Sequence, residues 1–229
     1  MKADYVFDID EIPQTEDCQL GVVVSMERRQ MHCGLAFDIA TSLKIIHLAT
    51  FKDVECKTEW GNFLVYVKPN IDPYIQELLV PYFDAVYNSI QDGHSKIPYA
   101  LGYENYATVK EDGKVDFGAN GIGLTCATYI LSLFHTKEFD LVDIHNWPVR
   151  EDDKRWQIKI LNYFYDNREY FKISIEFLQK MWEQFGCPRF RPEEVAVSSA
   201  LYNDAPAETQ IIWNEGKLLR DYVASKVEN

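Results

Sequence analysis

The chain has 229 residues, 47% hydrophobic and 14% aromatic, enough apolar material for a packed domain and too much for a disordered one. A formal charge of −13 and a pI near 4.8, with no Lys/Arg run longer than Arg28-Arg29, exclude a broad nucleic-acid or anionic-membrane surface, because phosphate binding needs clustered cations. The N-terminus is acidic without a charged-then-apolar leader, no apolar run approaches bilayer length, and Cys18, Cys33, Cys56, Cys126 and Cys187 are scattered with no CxxC, so the expectation is a cytoplasmic protein with reduced thiols.

In chain order, QLGVVVSM (19–26) reads as a buried strand, followed by strand-like HCGLAFDI (32–39) and SLKIIHLA (42–49) with a short link around Ala40-Thr41. NFLVYVKP (62–69) is a further strand ended by Pro69. DPYIQELLVPYFDAVYNSI (72–90) has helical spacing, with Asp72 as N-cap and Pro73 in the first turn, and Pro81 is expected to kink or split it. Residues 91–120 are irregular apart from a hairpin in ATVKEDGKVDF that turns at Glu111-Asp112-Gly113. A helix over 124–135 follows, flanked at its start by either Thr125 or Gly123.

Beyond residue 146 the pattern becomes helical: EDDKRWQIKILNYFYD, REYFKISIEFLQKMWEQFG closed by Gly186, RPEEVAVSSALYN opened by Pro192 and two glutamates, and ETQIIWNEGKLLRDYVASK. All four are expected to be amphipathic and to pack on what precedes them. The organisation is therefore α+β: an antiparallel sheet packed on a helix over 1–145, and a helical C-terminal region over 146–229.

Cys126 falls where the 124–135 helix begins. By itself it reads as a small buried hydrophobe, yet the positive end of a helix favours the thiolate and lowers a cysteine pKa. Gly121 and Gly123 are expected to let backbone amides turn inward, so that the Cys126 N–H faces a developing oxyanion. A thiolate nucleophile needs a base, which directs attention to the histidines. His32 and His47 lie on consecutive strands. An even-numbered connection puts them on one face, a two-residue loop at Ile39-Ala40 would place them directly opposite, and an odd loop would separate them.

The strand opening His32-Cys33-Gly34-Leu35, the strand Ile45-Ile46-His47-Leu48, and Thr125-Cys126-Ala127 placed 94 residues after His32 together resemble the circularly permuted branch of the papain-like superfamily. That branch includes lecithin:retinol acyltransferase-like enzymes, permuted NlpC-type amidases and PPPDE-type isopeptidases, and the likeness covers roughly residues 19–135. The resemblance implies Cys126 as nucleophile, His32 as general base and His47 as the polar group that orients His32, with no cofactor and no metal. Thr125, Ala127 and Thr128 depart from the acyltransferase pattern around the cysteine, which favours hydrolysis of a peptide, isopeptide or peptidoglycan-fragment amide. The alternatives are an acyltransferase or esterase on the same residues, and a non-catalytic binding module on this scaffold. The implied partner is a peptide, amide or acyl substrate rather than nucleic acid, with no membrane span and the oligomeric state left open.

Other residues carry plainer readings. His135 and His145 with Asp140 and Asp143 lack metal-site spacing. His94 reads as a solvated loop residue and Cys33 as core, since strand alternation turns it away from His32. Cys56 sits in the mixed segment DVECKTEW, Glu151-Asp152-Asp153 reads as a charged helix start, and Tyr99, Tyr103 and Tyr106 are candidates for the mouth of the site, one of them as a second oxyanion donor.

Overall fold

A computed structural model describes residues 3–12, 20–51, 53–91, 96–103, 105–119 and 121–227. Among them, strands β1 (Val6–Asp8), β2 (Leu20–Glu27), β3 (Gln30–Phe37), β4 (Lys44–Thr50), β5 (Asp53–Lys57) and β6 (Val65–Val67) form one antiparallel sheet in the order β1-β6-β2-β3-β4-β5. The small hairpin β7 (Thr108–Val109) and β8 (Val115–Asp116) forms where expected, with Gly113 at φ 74° in its turn. The fold is α+β with an antiparallel sheet.

Alternation along β2 and β3 divides the sheet's faces. Val22, Val24, Cys33, Leu35 and Phe37 enter the main core, whereas Val23 and Ala36 join a smaller cluster with Ile45, Phe63 and Tyr66. The β2–β3 hairpin turns through Arg28 and Arg29, both at positive φ (49° and 65°), and this fixes Ser25 opposite His32. The link between β3 and β4 is not a bare loop. Ile39–Ser42 make one helical turn, α1, after Asp38, whose carboxylate accepts from Thr41 Oγ1 and Ser42 Oγ.

Helix α2 (Pro73–Gln91) starts at Asp72, which accepts from the Tyr74 N–H at 2.9 Å, and it runs through Pro81 without splitting. Pro81 lies on the exposed side, where solvent can take the freed carbonyl, while Leu79, Tyr82, Phe83, Val86, Tyr87 and Ile90 hold the other side in the core. Helix α3 (Cys126–His135) packs on β3 and β4.

In the C-terminal region α4 (Glu151–Asp166) matches its expected span, but the second stretch is two helices, α5 (Arg168–Phe171) and α6 (Ile175–Glu183). Lys172 adopts φ 52°, ending the first, and the Ser174 hydroxyl caps the second by accepting from the Phe177 N–H. Together α4, α5 and α6 build a second core around Phe51, Leu101, Leu161, Phe164 and Met181.

Helix α7 (Pro192–Leu201) is not amphipathic. Pro192 through Ser199 are all buried, because it lies between α3, the sheet and α8 (Thr209–Val227). Val195, Ala196, Val197, Ile212, Leu219 and Val223 therefore share the main core with the strands. A buried ion network joins the two cores. Arg150 bonds Asp153 and Glu194, and Arg191 reaches Asp152 at 2.8 Å and Asp153 at 3.1 Å. Glu151-Asp152-Asp153 is thus more than a charged helix start, since Asp153 is fully buried between two arginines. Among the described residues no helix is long and apolar enough to cross a membrane.

Candidate functional site

The site begins with the connection between β3 and β4. Six residues, Asp38–Leu43, separate Phe37 from Lys44, an even number, so His32 and His47 share a face. The register pairs Leu35 with Ile46, which puts Gly34 opposite His47 and leaves His32 one diagonal step away rather than directly across, as a two-residue loop would have done. The diagonal suffices: His32 Nε2 lies 2.8 Å from His47 Nδ1 and the rings meet edge to face. Gly34 permits this, because a Cβ there would stand 3.0 Å from the His47 Cβ and 3.1 Å from the Phe63 ring. Phe63 stacks on His32 and meets His47 edge-on.

The cysteine arrives from the other face. Thr125 is the N-cap of α3: its hydroxyl accepts from the Thr128 N–H at 3.1 Å, and its own N–H donates to Thr128 Oγ1 at 2.8 Å. The β3–β4 ladder ends at Leu35 and Ile46 while β3 continues against β2, so the segment with His32 and Cys33 parts from β4. There the half-buried Cys126 thiol comes close enough to both residues for its charge state to depend on His32 and Cys33.

The titration of these groups follows from that arrangement. The Cys33 hydrogen bond and then the His32 charge hold the Cys126 thiol well below the ordinary cysteine range, against the opposing effect of burial. Burial opposes protonation of His32, but the negative charge and hydrogen bond of Cys126 outweigh it and raise its pKa. Both directions favour the charged forms, thiolate for Cys126 and imidazolium for His32. Burial, the His32 charge and Lys57 push His47 down to about 3, so it stays neutral. Cys33 is a site neighbour as well as a core residue, and burial followed by its contact with Cys126 raises its pKa. Sequence alternation located its side chain on the core face, as found, but could not show that the core face there ends at Cys126.

The glycines before the helix have a different task from the expected one. Neither Gly121 nor Gly123 is at positive φ; a Cβ would strike the Phe117 carbonyl at 2.1 Å and the Pro98 carbonyl at 2.0 Å respectively. They serve close backbone packing, reinforced by the Leu124 N–H donating to Pro98 O at 2.8 Å. The amides of Leu124 and Thr125 are thereby committed, whereas the Cys126 N–H lies in the first turn of α3, where amides have no partner within the helix. Of the three tyrosines, Tyr103 bonds Ser132, and Tyr106 bonds Val142 O and stacks on His135. Tyr99 is the one whose titration feels Cys126: burial first and the Cys126 charge second raise its hydroxyl pKa.

The remaining candidates lie elsewhere. His135 Nδ1 and Asp140 Oδ1 are 2.6 Å apart at the far end of α3, about 13.5 Å along the helix from Cys126. Cys56 is on β5, donates to Tyr87 O at 3.4 Å, and burial pushes its thiol up to about 12. His94 and Cys18 lie outside the described residues. A cleft of about 420 Å³ borders Gly121–Leu124 on one side and Lys180, Glu183 and Gln184 on the other, but it does not reach Cys126, His32 or His47. Among the described residues no group of three His, Cys, Asp or Glu is placed to hold a metal ion. Compared with family models, curated proteins and solved structures, the chain gives no significant match.

Proposed function

We propose that this chain is a thiol-dependent hydrolase of amide bonds in peptides, isopeptides or peptidoglycan fragments, built on a permuted papain-like core. The observation that carries the reading is the His32–His47 pair, 2.8 Å apart, with Cys126 at the first position of α3 and electrostatically coupled to His32. The Cys126 thiolate attacks the carbonyl carbon, and the oxyanion takes the Cys126 N–H, with the Tyr99 hydroxyl as second donor. The His32 imidazolium protonates the leaving amine, so the C–N bond breaks and a thioester remains on Cys126. His32 then takes a proton from water, the resulting hydroxide attacks the thioester, and the acid departs as the thiolate re-forms. His47 accepts from His32 Nε2–H throughout and keeps the other ring nitrogen toward sulfur.

The test is a panel of peptidyl amides, isopeptides and muropeptide fragments, with intact-mass detection of the acyl-enzyme. Turnover with an adduct on Cys126, abolished in Cys126→Ala and in His32→Ala, is the expected result. Amide turnover that survives Cys126→Ala would overturn the assignment.

A further inference from the structure

Strand β5 brings a fourth group to the line of Cys126, His32 and His47. The β4–β5 register pairs His47 with Glu55, and Glu55 Oε2 stands 3.3 Å from His47 Nε2, close but out of line for a hydrogen bond. That nitrogen is shut away from solvent, and Glu55 is the acceptor within reach. The groups facing His47 are His32 and Gly34 on β3, Phe63 ahead of β6, and Glu55 and Lys57 on β5, with Lys57 Nζ itself 3.3 Å from the same Glu55 oxygen.

Neutral His47 has two tautomers, and the geometry separates them. With the proton on Nδ1, the buried Nε2 lone pair would face a carboxylate, acceptor against acceptor. With the proton on Nε2, that N–H has the Glu55 carboxylate 3.3 Å away as a favourable electrostatic neighbour, Nδ1 accepts from His32 Nε2–H, and His32 Nδ1 is left facing sulfur. The geometry points to Glu55 as a positioning residue that selects the Nε2–H tautomer of His47 and, through it, presents His32 Nδ1 to Cys126. This rests on the thiol reading for its consequence in chemistry, but the tautomer choice can be read without it.

The experiment uses the full chain as wild type, Glu55→Ala and Glu55→Gln, at neutral pH. Long-range ¹H–¹⁵N correlation of the histidine rings reports the His47 tautomer, and iodoacetamide labelling with peptide mass mapping reports Cys126 reactivity against pH. The expected result is Nε2–H in wild type, a mixture or the Nδ1–H form in Glu55→Ala, and a roughly tenfold slower Cys126 alkylation in that variant, the loss usual when a carboxylate orienting a functional histidine is removed. Glu55→Gln, which keeps an acceptor oxygen, restores part of both signals, an outcome that loss of fold stability would not give. An Nδ1–H tautomer in wild type, or a His47 tautomer indifferent to Glu55→Ala, overturns the inference. If wild-type Cys126 labels no faster than the other cysteines, the hydrolase reading fails instead, and the ring spectra still decide the role of Glu55.

Discussion

Acid should destabilise this protein through His47, and the size of the effect follows from its surroundings. The side chain is 5% exposed and neutral in the fold, with a pKa of about 3, whereas in the unfolded chain it titrates at the ordinary histidine value of 6.5. Between those values the unfolded state binds the extra proton, so stability falls as pH falls through 6.5 toward about 3. At about pH 4.5, two units below the unfolded value, the loss is about 2–3 kcal/mol. Cys126, whose pKa is lowered, contributes in the same direction in this window, so both arms of the comparison carry Cys126→Ala. Urea unfolding near pH 7 and about pH 4.5 then measures the pH-dependent loss with His47 present and in His47→Gln. The difference between the arms should be the 2–3 kcal/mol above. Equal losses would show that His47 is not held neutral by burial, and the reasoning about its environment would fail.

Three further outcomes rest on separate contacts. Asp153→Ala removes one of the two buried carboxylates, Asp153 and Glu194, that Arg150 and Arg191 share, and should cost about 3–5 kcal/mol in urea titration; a loss under about 1 kcal/mol would mean that Glu194 and solvent satisfy the arginines without Asp153. Gly34→Ala places a methyl 3.0 Å from the His47 Cβ and should slow Cys126 labelling while costing about 1–3 kcal/mol in stability; unchanged labelling would show that the His32–His47 contact does not set thiol reactivity. Thr125→Ala removes the cap of α3 and should lower stability by about 1 kcal/mol in the same urea assay, whereas no loss would leave the Thr125–Thr128 pair without a capping role.

Much of this arrangement is legible in the sequence because local rules carry it. The Gly113 turn and the span of α4 each follow from a few adjacent residues, which also narrow the start of α3 to Thr125 or Gly123, with Thr125 found as the cap. The sharing of a face by His32 and His47 reduces to whether the connection between their strands is even, although its actual length, with a helical turn inside it, sets the diagonal offset. What stays hidden depends on partners distant in sequence. DVECKTEW reads as mixed because β5 is an edge strand, and only its register against β4 brings Glu55 to His47. The tight β2–β3 turn gives no sign of itself, since neither Arg28 nor Arg29 is a residue that favours positive φ. The all-round burial of α7 is invisible for a similar reason: Glu193 and Glu194 read as a charged helix start until Arg150 and the sheet are packed around them.

The central claim is that Cys126 is a thiolate activated by His32. The rate of iodoacetamide labelling, resolved by cysteine across pH, measures this directly. Near pH 6.5 an ordinary thiol is less than about 1% ionised. Cys126 should label there faster than the partly buried Cys56 and the buried Cys33 and Cys187 by on the order of a hundredfold, and His32→Ala should remove most of that advantage. Equal, slow labelling of Cys126 and Cys56 through pH 8, unchanged by His32→Ala, would contradict it.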